Sequence, residues 1–228
     1  MALPGINEHR KQALARDLAA RVSGLAGNWM LAGTAAMSAV RQRLPHGASN
    51  RFMSDPGAFK KDDDALGLGS FTGEIKRACA ALAANRAIDA VMDRWDVGNI
   101  GGQASTNPLR IEMVEGMGYL ALTHGGGNCQ YQAGATFLAL RAAGVRPLDV
   151  IYIFSRNSIF GDDKPRHASV VIGIQGGFRN QNEPEVAGWQ PRAVAADTWE
   201  LDRSEPASAL ADRYSPAEHR FISFARCP

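Results

Sequence analysis

Three consecutive glycines, Gly125-Gly126-Gly127, run through Asn128 into Cys129 and on into a helix-forming segment, Gln130 to Ala143, that stops at Gly144. No other stretch constrains the fold as tightly. Glycine lets a backbone bend sharply and come close to a ligand where a Cβ would clash. A cysteine in the first turn of a helix meets unpaired N–H groups and the positive end of the helix dipole, and both favour the thiolate. The thiolate is the reactive form, so Cys129 is the candidate nucleophile. The rest of the chain then has to supply a base within its reach.

Composition narrows the field of functions. The net charge is +2, with 45% hydrophobic and 21% charged residues, which lacks the strong basicity that phosphate-backbone binding leaves in a sequence. Nucleic acid is therefore not an expected partner. No apolar run approaches the roughly 18 residues of a membrane span. Met1 to Arg10 lacks the basic start and apolar core of a Sec signal peptide. Cys79, Cys129 and Cys227 are odd in number and widely spaced, which is no disulfide framework and fits a reducing compartment. The expected location is the cytoplasm, or export by a dedicated system without a Sec signal.

Residues 7–44 read as helix, with Leu14, Leu18, Val22 and Leu25 at three- and four-residue steps and Gly24, Gly27 and Gly33 breaking it into two pieces. Residues 46–72 read as a solvated loop or linker around Lys60-Lys-Asp-Asp-Asp64. Residues 73–95 read as a strong helix whose apolar face holds Ile75, Cys79, Leu82, Val91, Met92 and Trp95, making Cys79 a core thiol. After a turn-rich loop from Gly98 to Pro108, Ile111–Thr123 reads as a short helix or an extended approach, with Glu112 and Glu115 as surface charges. The helix from Cys129 buries one face through Ala133, Phe137, Leu138 and Leu140. Strands are expected over Leu148–Phe154, His167–Ile174 and Ala193–Asp197, with a short final one over Phe221–Phe224. Helices first and strands later predict an α+β fold with a mostly antiparallel sheet.

Cys129 starts a helix, His167 starts a strand and Asp197 ends another. Thiol chemistry needs a group that shares the S–H proton, and histidine is suited to that near neutral pH. The histidine in turn needs an acceptor on its second ring nitrogen to fix tautomer and orientation, and a carboxylate does this while stabilising the imidazolium. If the two strands are neighbours, His167 and Asp197 can lie together. Asp162, Asp163, Asn180 and Asn182 are alternative orienters of His167, and His219 is an alternative base. The backbone N–H of Cys129 is the natural oxyanion donor. His124, Asn128 and Gln103 are candidate second donors or substrate contacts, each with the plain alternative of a loop residue satisfied by backbone or water.

In this order and on these elements, the three residues resemble the papain-like, transglutaminase-like superfamily. Gly-Asn-Cys129 followed by Ala133 looks like the nucleophile motif of bacterial effector and toxin domains of that fold, and His167-Ala-Ser-Val-Val-Ile resembles their histidine strand. Gly188-Trp189 and Asp197-Thr198-Trp199 are similar to the transglutaminase core's Gly-Trp and Asp-Pro-Thr-Trp, without its proline. The interval from His167 to Asp197 exceeds the usual short hairpin, implying an inserted loop at 178–191. Where papain-like peptidases carry an oxyanion glutamine, six residues before the cysteine, this chain has Thr123.

The resemblance covers about residues 115–200. It says nothing about residues 1–110; with the helical reading of 7–44 and the loop at 46–72, it gives an expected papain-like catalytic domain over 73–228 after a helical N-terminal extension and linker over 1–72. It implies a Cys129-His167-Asp197 triad that works without cofactor or metal on amide bonds of proteins. The expected activity is glutamine deamidase or transglutaminase, with cysteine protease as the alternative. Bacterial members include virulence effectors and toxins, which makes a host or competitor protein the expected substrate. The N-terminal helices could then bind a secretion chaperone. Three rivals fit some of the same residues. An arylamine N-acetyltransferase-like enzyme shares the Gly-Gly-x-Cys and the triad. Zinc could be held by His124, Cys129, His167 and Asp197. A non-catalytic binding module could keep the fold alone.

Overall fold

The computed structural model describes residues 3–48, 71–95, 104–156, 165–175, 182–186, 189 and 191–228. The helices are α1 (Glu8–Val22), α2 (Trp29–Arg41), α3 (Phe71–Met92), α4 (Pro108–His124), α5 (Cys129–Ala142) and α6 (Ala207–Arg213). The strands are β1 (Gly47–Ala48), β2 (Gly126–Gly127), β3 (Leu148–Ser155), β4 (His167–Ile172), β5 (Val194–Ala196), β6 (Glu205–Pro206) and β7 (His219–Cys227). The fold is α+β with helices first, as the sequence predicts. Five strands form an antiparallel sheet in the order β6-β5-β4-β3-β7. β1 and β2 make a separate two-residue parallel pair.

Asparagine starts four helices. Asn7, Asn28, Asn107 and Asn128 each accept a backbone N–H in the first turn with the side-chain oxygen, satisfying donors that a helix start leaves unpaired. Gly125 closes α4 at φ 72°, a left-handed conformation that glycine adopts without strain. Gly24 and Gly27 lie between α1 and α2 as expected, whereas Gly33 lies inside α2 and breaks nothing; its hydrogen faces the Ser204 side chain.

α5 is the centre of the molecule. The sequence predicts one buried face, but buried residues surround the helix from Tyr131 to Leu140. α4, α1 and α2 pack on it from the helical side and the sheet from the other. The α4 crossing is close because two glycines meet there: a Cβ on Gly118 would lie 2.4 Å from the Gly134 backbone. Leu18 and Val22 of α1 and Met37 and Val40 of α2 share one apolar cluster with Phe137 and Leu140 of α5 and with Val150, Val170 and Ile172 of the sheet. The expected N-terminal extension thus contributes its helices to the core around α5. A second, smaller cluster covers the other side of the sheet with Ile151, Ile153, Val171, Trp189, Leu210 and Phe221.

Several local expectations change. Cys79 is exposed and Leu82 is 41% exposed, because α3 buries Ala78, Ala81, Ala84 and Ile88 instead. Ile111–Thr123 is entirely helical within α4. Glu115 is buried, paired with Arg141 and close to Lys11 at 4.0 Å. The last strand is β7, nine residues long, and it runs along the whole of β3. Most of the expected 46–72 loop and part of the 178–191 loop lie outside the described residues.

Candidate active site

Cys129 takes the first position of α5 because Asn128 caps the helix. Asn128 Oδ1 accepts from the N–H groups of Gln130 at 3.0 Å and Tyr131 at 3.2 Å. The preceding glycines have structural work. Gly126 and Gly127 form β2, paired in parallel with Gly47 and Ala48. A Cβ on Gly126 would press on His46 at 3.1 Å, and one on Gly127 would meet Tyr131 Cβ at 2.8 Å. Gln132 Nε2 donates to the Gly127 carbonyl at 3.0 Å, and the Tyr131 hydroxyl donates to Asp89 of α3. These contacts fix where the helix starts and hence where the sulfur sits.

His167 opens β4 and Asp197 follows β5, its direct antiparallel neighbour. His167 Nε2 lies 2.5 Å from Asp197 Oδ2, and each side chain is 1% exposed. The other carboxylate oxygen, Oδ1, accepts from the N–H groups of Trp199 and Glu200, each at 3.1 Å. That turn locks the carboxylate. Thr198, inside it, is tied to α5 through its hydroxyl, 2.5 Å from that of Thr136.

Alternation along β4 puts Ala168, Val170 and Ile172 under α5 and His167 in the opposite row with Val171. As the first residue of the strand, His167 stands at the end of the sheet, where its ring meets groups from both sides. On one side is Tyr214, stacked at 5.3 Å between centroids and 7° between planes. The Cys129 thiol is also near enough to the ring to influence its charge. Nε2 is engaged by Asp197, so Nδ1 is the nitrogen left for sulfur. Among the described residues Nδ1 has no hydrogen-bond partner, and catalytic hydrogen bonds often form fully only when substrate is bound. Burial alone would lower the His167 pKa. The hydrogen bond to Asp197, the nearby Cys129 sulfur and the charges of both outweigh it, pushing the pKa up to about 10. The imidazole is therefore positively charged through the neutral range, beside a sulfur 5% of whose residue surface is exposed.

The other sequence candidates fare differently. Asn128 is the helix cap, its side-chain oxygen already engaged. His124 ends α4, half-buried, and among the described residues makes no hydrogen bond or ring contact with the triad. Gln103, Asp162, Asp163 and Asn180 lie outside the described residues. Asn182 accepts from the Ser223 N–H through its backbone carbonyl. His219 contacts Tyr214 edge-on at 5.4 Å, one ring removed from His167.

Sequence reasoning missed two residues, Glu200 and Tyr214, and left Trp199 without a role; its ring lies 5.3 Å from that of His167. The one available signal was local: an aspartate followed by three residues whose amides can fold back on it. Tyr214 carried no signal, since only the tertiary fold brings it to His167. Ligand-type atoms of His167, Asp197 and Glu200 lie within 4.8 Å of one another. Their internal pairing accounts for that proximity: Asp197 holds His167, while Glu200 accepts from Tyr214 at 2.5 Å and pairs with Arg213 at 3.3 Å.

No family model, curated protein or solved structure matches this chain. No helix among the described residues is long and apolar enough to cross a membrane.

Proposed function

We propose that this chain is a cysteine-dependent acyl-transfer enzyme of the papain-like, transglutaminase-like kind, acting on glutamine carboxamides of a protein substrate. The observation that carries this reading is the convergence on one imidazole of a helix-start thiol and a buried carboxylate from three separate elements. A charged ring beside sulfur stabilises the thiolate, and the Asp197 carboxylate stabilises that charge in turn.

In the proposed reaction the Cys129 thiolate attacks the carboxamide carbon and an S–C bond forms. The carbonyl oxygen takes negative charge, for which the Cys129 N–H, not engaged by the Asn128 cap, is the proposed donor. As the C–N bond breaks, the His167 imidazolium gives its proton to the departing ammonia, leaving a thioester and a neutral ring. His167 then accepts a proton from water, whose oxygen takes the acyl group to give glutamate and release the cysteine. An amine in place of water gives a transamidated product. Cofactor and metal have no part in these steps.

The test is intact-mass analysis of candidate acceptor proteins after incubation with wild type and with Cys129→Ala. Deamidation gives a gain of about one dalton per site with wild type alone. Cleaved fragments would move the assignment to a protease using the same triad. Unaltered masses across a broad protein mixture, with no labelling of Cys129 by carboxamide electrophiles, would contradict the enzyme reading.

A further inference from the structure

Resting on that reading of the site, we infer that Tyr214 is a positioning residue for His167, anchored through Glu200 to the same turn that holds Asp197. The Tyr214 ring lies parallel to the imidazole, 5.3 Å away and 7° from coplanar. Its hydroxyl donates to Glu200 Oε1 at 2.5 Å. Glu200 itself donates its backbone N–H to Asp197 Oδ1 at 3.1 Å. One residue therefore holds the carboxylate that grips Nε2 and the ring that lies along the imidazole face. Arg213 completes the anchor at 3.3 Å from Glu200 Oε2 and also pairs with Glu205 at 2.5 Å.

The physical need for this device follows from where His167 stands. At the first position of β4 it pairs with Ile153 of β3, while the pairing with β5 begins only at Val170. A hydrogen bond at Nε2 alone leaves the ring free to rotate about that bond and swing Nδ1 away from sulfur. Parallel stacking by Tyr214, with Trp199 tilted at 46° beside the ring, removes that freedom. An aromatic face also attracts the imidazolium and favours the charged ring over the neutral one. Burial, then the hydrogen bond to Glu200, raise the Tyr214 pKa well above its ordinary value. The phenol therefore stays neutral and keeps its anchoring proton throughout the working range.

The test is the rate of Cys129 alkylation by iodoacetamide, followed per residue by mass spectrometry from acid to alkaline pH. Wild type is compared with Tyr214→Leu, Tyr214→Phe, Glu200→Gln and the Tyr214→Phe/Glu200→Gln double variant. Tyr214→Leu keeps volume but removes the aromatic face. It is expected to lose roughly tenfold at neutral pH, with the upper limb of the profile moved to lower pH. Tyr214→Phe keeps the ring and is expected to recover most of the rate, ending about threefold below wild type. Glu200→Gln is expected to match Tyr214→Phe, and the double variant to be no worse than either, since both cut one link. A wild-type profile in folded Tyr214→Leu overturns the inference. Should Tyr214→Leu not fold, the cycle decides: effects that add, or no effect in either single variant, overturn it. If wild-type Cys129 reacts no faster than Cys79 and Cys227, the nucleophile reading itself fails; a reactive Cys129 indifferent to every Tyr214 and Glu200 change sinks only the positioning role.

Discussion

α3 and α5 are both alanine-rich helices carrying a cysteine, and they use it in opposite ways. In α3 the thiol of Cys79 is exposed on a helix that buries one narrow alanine face. In α5 the thiol of Cys129 is buried at the first turn of a helix enclosed on all sides. Accessibility favours Cys79 as the reactive group, whereas the neighbouring His167 ring favours Cys129. A thiol's nucleophilicity is set first by its thiolate fraction. The comparison teaches that exposure and electrostatic setting point to different thiols, and that a labelling experiment can separate them.

The largest expected difference between the helices is in packing. Gly118→Ala or Gly134→Ala drives a methyl into the opposing backbone, with no side chain able to yield. Each should cost about 3 kcal/mol of unfolding free energy or prevent folding, measured by urea denaturation. Exposed α3 positions should tolerate the same kind of change. Next, His167→Ala should slow Cys129 alkylation at neutral pH by roughly a hundredfold and leave Cys79 unchanged. Asp197→Asn should act in the same direction by about tenfold, because the amide still accepts a hydrogen bond but no longer stabilises the imidazolium.

Smaller effects separate the two ends of one sheet face by pH. The folded-state pKa of His167 is raised, to about 10. Its contribution to stability is thus fully present below the ordinary histidine value and is lost as pH rises through about 10. Denaturation midpoints between neutral and alkaline pH should fall more steeply in wild type than in His167→Gln. Asp149, at the other end of the same sheet face, also has a raised pKa, about 6, because its burial outweighs Arg226 and the 2.6 Å hydrogen bond from Ser223. Its contribution is present below the ordinary carboxyl value and lost as pH rises through about 6, and Asp149→Asn should flatten that acid-side slope. Smallest of all, Cys79→Ser and Leu82→Ser should change stability by within about 0.5 kcal/mol.

How much of this was legible in the sequence follows the same divide between local and distant causes. The start of α5 at Cys129 and its end near Gly144, the apolar β-branched runs of β3 and β4, and the pairing of His167 with Asp197 all rest on signals within a few residues or on strand adjacency. The buried face of α3 was hidden because alanine carries almost no hydrophobic contrast, so Leu82 and Cys79 looked like the stripe while Ala78, Ala81 and Ala84 were it. Glu115 was misread because its partners, Arg141 and Lys11, are brought to it only by the packing of α4 between α5 and α1. The glycines before Cys129 suggested a ligand cradle, but their neighbours are His46, Gly47 and Tyr131. The Tyr214–His167 stack joins the end of a short helix to a strand far back along the chain, and no local pattern encodes that.

The central claim is that the buried thiol is the activated one. Competitive labelling of wild type and His167→Ala with a limiting amount of iodoacetamide at neutral pH, resolved by peptide mass spectrometry, tests it directly. The account predicts that Cys129 is modified before the exposed Cys79 in wild type and after it in His167→Ala. Preferential modification of Cys79 in both proteins would contradict it.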